Sequence, residues 1–177
     1  MATTIEELIN AVKNGHRTRS LFHFSDASNL ESIRTHGLLS KAELARLGIT
    51  PRNPGGDINS RASDKANGIF DDVSLSLARN HPMAHVCRSD GRQPNQIVFA
   101  INVEVLRTPG CRLALGLANA MQTKILPLED GLSQIDTDLL YSNHGQPWVK
   151  IKEKLQKFRK FEILVPKKVD AKYLTHQ

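Results

Sequence analysis

The sequence predicts an α+β domain with mainly antiparallel sheets. Short stretches of two-residue alternation at 73–77, 96–105 and 161–165 predict strands. Short amphipathic stretches at helical spacing lie between them, and no regular strand–helix–strand repeat links them, which argues against a parallel sheet. At 177 residues the chain fits one domain, 1–177, with a full core; a second domain would be crowded.

Residues 4–14 read as a helix that Thr4 caps, with Glu7 closing a capping box and Gly15 ending it. His16, Arg17, Thr18 and Arg19 follow as a basic linker, so 1–20 form an N-terminal helix and linker. Leu21 to Phe24 is a short strand with Phe22 and Phe24 on one face and His23 on the other. Ser28 and Glu31 have capping-box spacing before a helix that turns Leu30 and Ile33 inward and stops at Gly37.

Residues 48–72 are rich in Gly, Pro, Asn and Asp and have no periodicity. They read as a long loop serving as a ligand-covering lid, with Arg61 its foremost binding residue. Val73 to Leu77 is a half-buried strand with Ser74 and Ser76 on its polar face. Arg79 to Met83 turn into a short helix. Residues 96–105 form the longest strand, with Ile97, Phe99, Ile101, Val103 and Val105 inward. Residues 113–121 read as a weak, Ala-rich helix and 126–148 as a loop-rich stretch. Ile151, Leu155 and Phe158 then stand at i, i+4, i+7 on a helix whose other sides carry lysines. The final strand, ended by Pro166, points Phe161, Ile163 and Val165 one way and Lys160, Glu162 and Leu164 the other.

Composition narrows the function. Hydrophobic content of 40% and charged content of 24% are those of a soluble globular protein, and no apolar run approaches a membrane span. The first residues lack a signal-peptide core, and Cys87 and Cys111, without CxxC spacing, suit a reducing cytoplasm. Only His81 and His85 have metal-pair spacing, and Pro82 between them weakens it, so no metal is expected. A net charge of +6 favours a polyanionic partner, while 5% aromatic content argues against base stacking on an aromatic sheet. No P-loop or dinucleotide fingerprint occurs.

Glu162 is a carboxylate on a rigid strand among apolar side chains and cations. It is either a strand-edge partner of Lys160 or Arg159 or a site carboxylate. His23 with Ser25, the Ser74/Ser76 face and Arg61 are the other polar groups carried by strands or by the long loop.

The order of these groups is specific. The run LFHFSDASNLESIRTHGLLS resembles the opening of the DarT family of DNA ADP-ribosyltransferase toxins: His-x-Thr, then Asp-Asn-Leu, then a helix ending in Gly-Leu-Leu. Those positions read here His23-Phe24-Ser25, Ser28-Asn29-Leu30 and Gly37-Leu38-Leu39. Asp57 to Arg61 is similar to the family's Ile-x-x-Arg segment, and Arg79 to Met83 to its Pro-Arg-Ser-Pro-Met turn. Phe161 to Pro166 is similar to the Ala-Glu-Phe-Leu-Val-Pro segment that carries the family's catalytic glutamate. Three departures stand out. Leu75-Ser76-Leu77 replaces an aromatic strand, the turn's arginine falls on Asn80 with Arg79 one position early, and the strand's Ser-x-Ser is similar to the serine of the Arg–Ser–Glu triad in other ADP-ribosyltransferases.

The resemblance implies an ADP-ribosyltransferase-like fold of two mainly antiparallel sheets flanked by helices. It implies NAD as co-substrate, with Glu162 and Arg61 catalytic, and His23, Ser25, Asn29, Arg61, Ser76 and Arg79 holding the cofactor. It makes 48–72 the NAD-covering loop and 133–160 the substrate-recognition segment, with Lys150, Lys152, Lys154, Lys157 and Lys160 on nucleic-acid phosphates. The implied acceptor is a base of single-stranded DNA, and the target base of a divergent branch can differ from the family's thymine. The implied setting is a cytoplasmic monomer acting as toxin or phage-defence effector, neutralised by an antitoxin that is a macrodomain-type or other ADP-ribose hydrolase. The alternatives are modification of RNA bases, an RNA 2′-phosphotransferase, and a non-catalytic basic module that binds nucleic acid.

Overall fold

A computed structural model describes residues 2–16, 18–56, 58–141 and 148–175, the side chains of 58 and 148–150 excepted. The expectations that fall on Arg17, Asp57, 142–147 and the Lys150 side chain lie outside the described residues. Among these residues the strands are β1 Leu21–Asp26, β2 Leu38–Leu39, β3 Asp72–Ser76, β4 Gln96–Ile101, β5 Arg112–Ala114, β6 Ile125–Pro127, β7 Glu162–Pro166, β8 Lys168–Val169 and β9 Leu174–Thr175. Seven make one sheet, ordered β6-β5-β7-β3-β1-β4-β9, and β2 with β8 make a two-stranded one. Every pairing is antiparallel. The helices are α1 Ile5–Lys13, α2 Leu30–His36, α3 Lys41–Arg46, α4 Ile58–Ala66, α5 Pro82–Ser89, α6 Leu128–Gly131, α7 Thr137–Tyr141 and α8 Trp148–Phe158.

The strand alternation sorts the large sheet into two faces. On one, Leu21, Leu75, Phe99, Ile101, Ile163 and Val165 are buried with Leu8, Ile9 and Val12 of α1 and Ile151, Leu155 and Phe158 of α8. Each such side chain contributes about 1.5–3 kcal/mol on burial, so this face holds the domain together. On the other, a small cluster of Ile69, Ala114, Ala118 and Leu164 sits beside the polar Ser74, Ser76 and Glu162. The apolar stripe of α8 and the alternation of β7 are therefore as predicted. The Thr4–Glu7 capping box also forms, with Glu7 N–H donating to Thr4 Oγ1 at 3.2 Å and Thr4 N–H to Glu7 Oε2 at 3.3 Å. Both cysteines are free and buried.

Several predicted elements differ. Residues 48–72 are not all loop, because α4 occupies Ile58–Ala66. Its sequence INSRASDKA is polar nearly all round, so it presents no apolar stripe to read. Strand β4 stops at Ile101, and Asn102 caps a 3₁₀ turn over Val103–Arg107. Val103 and Val105 are still buried, so their alternation reports burial and not extended backbone. Residues 113–121 are not a helix. Strand β5 pairs with β6 and β7, and sheet pairing overrides the helical preference of the alanines. The Ser28–Glu31 box does not form: Asp26 caps the Ala27–Asn29 turn, and the Ser28 hydroxyl donates to Asp26 Oδ1 at 2.6 Å. Asn29 opens α2 without a side-chain cap. Gly37, at φ 79°, closes α2 against β8, where a Cβ would stand 2.2 Å from Val169 O.

Candidate active site

The site begins where two strands part. Strand β1 pairs with β4 over six residues, but with β3 only at Phe22 opposite Ser76. Beyond that pair β3 leaves a carbonyl free, and His23 takes it: Nδ1 lies 3.0 Å from Ser74 O. A carbonyl only accepts, so Nδ1 carries the proton, and the neutral ring presents Nε2 as an acceptor. Desolvation pushes the His23 pKa down, against the Ser74 carbonyl and the Glu162 charge, and so favours the neutral form. A cleft of about 1190 Å³ opens along this split, lined among others by His23, Phe24, Ser25, Arg61, His81 and Glu162.

Glu162 opens β7, opposite Ser76 on one side and Ala114 on the other. Its side chain is only 12% exposed, and His81 Nε2 lies 3.2 Å from its Oε1. Ala118 N–H donates to Oε2 at 3.3 Å from the loop after β5. Asn67 holds that loop, donating to Ala118 O at 2.9 Å and Ala120 O at 3.1 Å. His81 reaches the carboxylate because Pro82 starts α5 and makes His81 its N-cap, with Met83 N–H donating to its Nδ1 at 3.3 Å. The Phe24 ring stands between two imidazoles, 6.2 Å from His23 and 6.0 Å from His81. Phe24 is thus a cleft wall, on the strand face it shares with Phe22, which also lines the cleft. His85 points elsewhere, toward Ser89. Among the described residues no group of three or more His, Cys, Asp or Glu is placed to hold a metal ion.

The opposite wall is tied by Asn29. Its Nδ2 donates to Arg52 O at 2.7 Å and to Ser25 Oγ at 3.3 Å, while Arg52 N–H donates to its Oδ1 at 2.8 Å. The Asn29 amide therefore fixes the 51–56 segment and sets the Arg52 side chain, exposed, on the cleft rim. Gly55 belongs to the same segment, its carbonyl accepting from Arg92 and from Cys87 Sγ. Arg61 is exposed on α4 and lines the cleft. Lys41 also lines it but is paired with the buried Asp64.

Of the residues predicted for the site, the cleft thus gathers Glu162, Arg61, His23, Ser25, Asn29 and Ser76. The Ser76 hydroxyl donates to Ala78 O at 2.6 Å. Arg79 lines a separate pocket of about 300 Å³ with His16, Arg19 and Ser20 instead. Lys152, Lys154, Lys157 and Lys160 are exposed, and Glu162 pairs with none of the lysines among its described contacts. Sequence reasoning missed His81, Arg52 and the Ala118 N–H. The His-Pro pair, an imidazole at the cap of a Pro-started helix, was the legible signal for the first; backbone groups have none.

A family model described as "ssDNA thymidine ADP-ribosyltransferase, DarT" matches residues 22–176. The chain belongs to the DarT family. DarT structures share its fold. A Thermosipho africanus DarTG in complex with ADP-ribose is 19% identical, with a TM-score of 0.62 over 88% of this chain and 42% of that one. A Thermus sp. 2.9 DarT in complex with ADP-ribosylated ssDNA is 15% identical, with a TM-score of 0.59 over 83% of this chain and 74% of its own. The same Thermus DarT in complex with NAD+ is 16% identical, with a TM-score of 0.54, covering 87% and 78%. This chain thus spans less than half of the T. africanus chain. No curated protein matches the sequence. Among the described residues no helix is long and apolar enough to cross a membrane.

Proposed function

We propose that this DarT-family protein transfers ADP-ribose from NAD to a base of single-stranded DNA and releases nicotinamide. One observation carries the reading: Glu162, poorly exposed, held by the Ala118 N–H and 3.2 Å from His81 Nε2, faces the cleft at the parted strands of a DarT fold. The residues fit the dinucleotide. A cleft of about 1190 Å³ exceeds what a drug-sized ligand needs, and its mixed lining includes Ser74, Ser76 and Glu162 and the exposed guanidiniums of Arg52 and Arg61.

In this reading, neutral His23 accepts a ribose hydroxyl through Nε2 with Ser25 beside it. Arg61, with Arg52 on the rim, meets the pyrophosphate, a bidentate task that suits guanidinium. Glu162 puts negative charge where positive charge builds on the nicotinamide ribose as its bond to the leaving nitrogen breaks. The nitrogen of the acceptor base attacks that carbon and loses its proton to Glu162. Thymine is the base that the family's description names. The complexes of Thermus DarT with NAD+ and with ADP-ribosylated ssDNA support the same substrates here. The likeness to a DarTG supports a toxin paired with an antitoxin that removes ADP-ribose. We assign the 48–72 segment to covering NAD and 133–160 to the acceptor, in a cytoplasmic monomer.

The test is to incubate protein and labelled NAD with single-stranded DNA, duplex DNA, RNA and protein extract. Mass spectrometry should find ADP-ribose on a base of the single strand only. A Glu162→Gln variant should lose roughly 10²-fold in rate while still binding NAD. Label on protein alone, or near-wild-type rate in Glu162→Gln, overturns the reading.

A further inference from the structure

His81 is the imidazole in reach of the Glu162 carboxylate, and its protons are in an unusual arrangement. The ring is 3% exposed. Its Nδ1 accepts from Met83 N–H, so Nδ1 carries no proton, and the hydrogen-bond network puts the proton of the neutral ring on Nε2. That Nε2 is 3.2 Å from Glu162 Oε1. The oxygen nevertheless lies off the N–H axis, and Nε2 is the buried side-chain polar atom left without a hydrogen-bond partner among the described residues. A buried N–H within reach of a carboxylate but not aligned with it is costly to keep. It is also held in place: Phe24 stacks on the ring at an interplanar angle of 24°, and the helix cap fixes the other nitrogen.

We propose that His81 is the positioning residue for Glu162. Its Nε2–H donates to Oε1, the Ala118 N–H donates to Oε2, and the two donors fix the carboxylate plane against the ribose. A small rotation of Glu162 aligns the first bond, and catalytic hydrogen bonds commonly tighten in this way when substrate is seated. The same protonation pattern excludes His81 as the general base. Nε2 already holds its proton and Nδ1 is taken by Met83, so a proton leaving the acceptor base goes to the carboxylate. The kinetic consequence rests on the transferase reading; the hydrogen bond itself does not.

Two substitutions separate orientation from capping. In His81→Asn, the short amide keeps an acceptor for Met83 N–H, since Asn is a good N-cap, but it falls short of Glu162. In His81→Gln, the longer amide carries an N–H to the place of Nε2 but caps poorly. Positioning predicts that His81→Asn lowers kcat by roughly tenfold to a hundredfold, the usual cost of losing an orienting partner, with KM for NAD little changed. It predicts that His81→Gln recovers most of kcat at a lower Tm, and that His81→Asn adds no loss in a Glu162→Gln background. Wild-type kcat in His81→Asn with a slow His81→Gln would make His81 a cap alone and overturn the proposal. ¹⁵N NMR of the imidazole gives a readout independent of turnover. It should show a protonated Nε2 and a bare Nδ1, and the opposite tautomer overturns the proposed bond. Wild-type protein that transfers nothing overturns the transferase reading instead, with the tautomer still deciding whether His81 donates to Glu162.

Discussion

Ser76 and Glu162 stand opposite each other in the β3–β7 register, yet the Ser76 hydroxyl donates to Ala78 O at 2.6 Å and not to the carboxylate. The groups against the carboxylate come from elsewhere: Ala118 N–H donates from the loop after β5, and His81 Nε2 stands 3.2 Å away at the cap of α5. Ser76 is 6% exposed, and its hydroxyl holds the turn that leads toward His81.

Ser76→Ala is therefore expected to act on stability. It leaves the half-buried Ala78 carbonyl without this partner, a loss of about 0.5–1.5 kcal/mol, read as a lower midpoint in urea. Turnover per folded molecule should remain at the wild-type level. A variant of unchanged stability that loses turnover would make Ser76 a direct partner of the substrate or of Glu162.

The sequence carried the site's two ends better than its middle. Glu162 was legible because a strand's period of two separates it from Phe161 and Ile163, and the stripe of Ile151, Leu155 and Phe158 fixed α8 in the same way. His23 was legible as the odd polar residue in an apolar strand. What binds it was not, because Ser74 O is freed only by the parting of β1 from β3, a long-range event. Asn29 was legible as a site residue, but its three hydrogen bonds to Ser25 and Arg52 depend on a loop that has no period. Helix α4 and strand β5 escaped for opposite reasons, one lacking an apolar stripe and the other showing a helical composition that pairing overrode.

Asp26 makes a pH prediction. The Ser28 hydroxyl and N–H, with Asn53 and Asn95 N–H, hold its carboxyl down from about 3.8 to about 2, against the opposing effect of burial. A carboxyl depressed in the folded state contributes stability above its unfolded pKa, and that contribution is lost as pH falls through the folded value. Its share should be complete above about pH 4 and gone near pH 2. Asp26→Asn should therefore lower Tm at neutral pH and converge on wild type as pH drops through that window. Parallel melting curves at every pH would show that Asp26 does not carry this linkage.

Arg61 tests the rim of the cleft. A guanidinium on a pyrophosphate contributes a charge-assisted hydrogen bond of about 1.5–3 kcal/mol, so Arg61→Ala should weaken NAD about tenfold to a hundredfold. Because the side chain is exposed on α4, Tm should not move. Calorimetry giving wild-type NAD affinity would return Arg61 to solvent and leave Arg52 as the cation to test.

The acceptor strand makes the last prediction. Exposed lysines surround the buried stripe of α8, but not evenly: Lys154 and Lys157 are one turn apart on one flank, while Lys152 lies on the other. A single strand following one flank toward Glu162 would meet Lys154, Lys157 and then Lys160, with Lys152 turned away. Each phosphate deprived of its lysine should reduce the slope of log affinity against log salt by about 0.7 for single strands. Replacing Lys154 and Lys157 together with Gln should remove about twice that, and Lys152→Gln little, with NAD affinity unchanged in both. Binding of oligonucleotides between about 50 and 200 mM salt measures the slopes directly. Equal effects from the two flanks would mean a diffuse basic surface, and no effect from either would mean that these lysines only solvate the helix while the DNA approaches by another route.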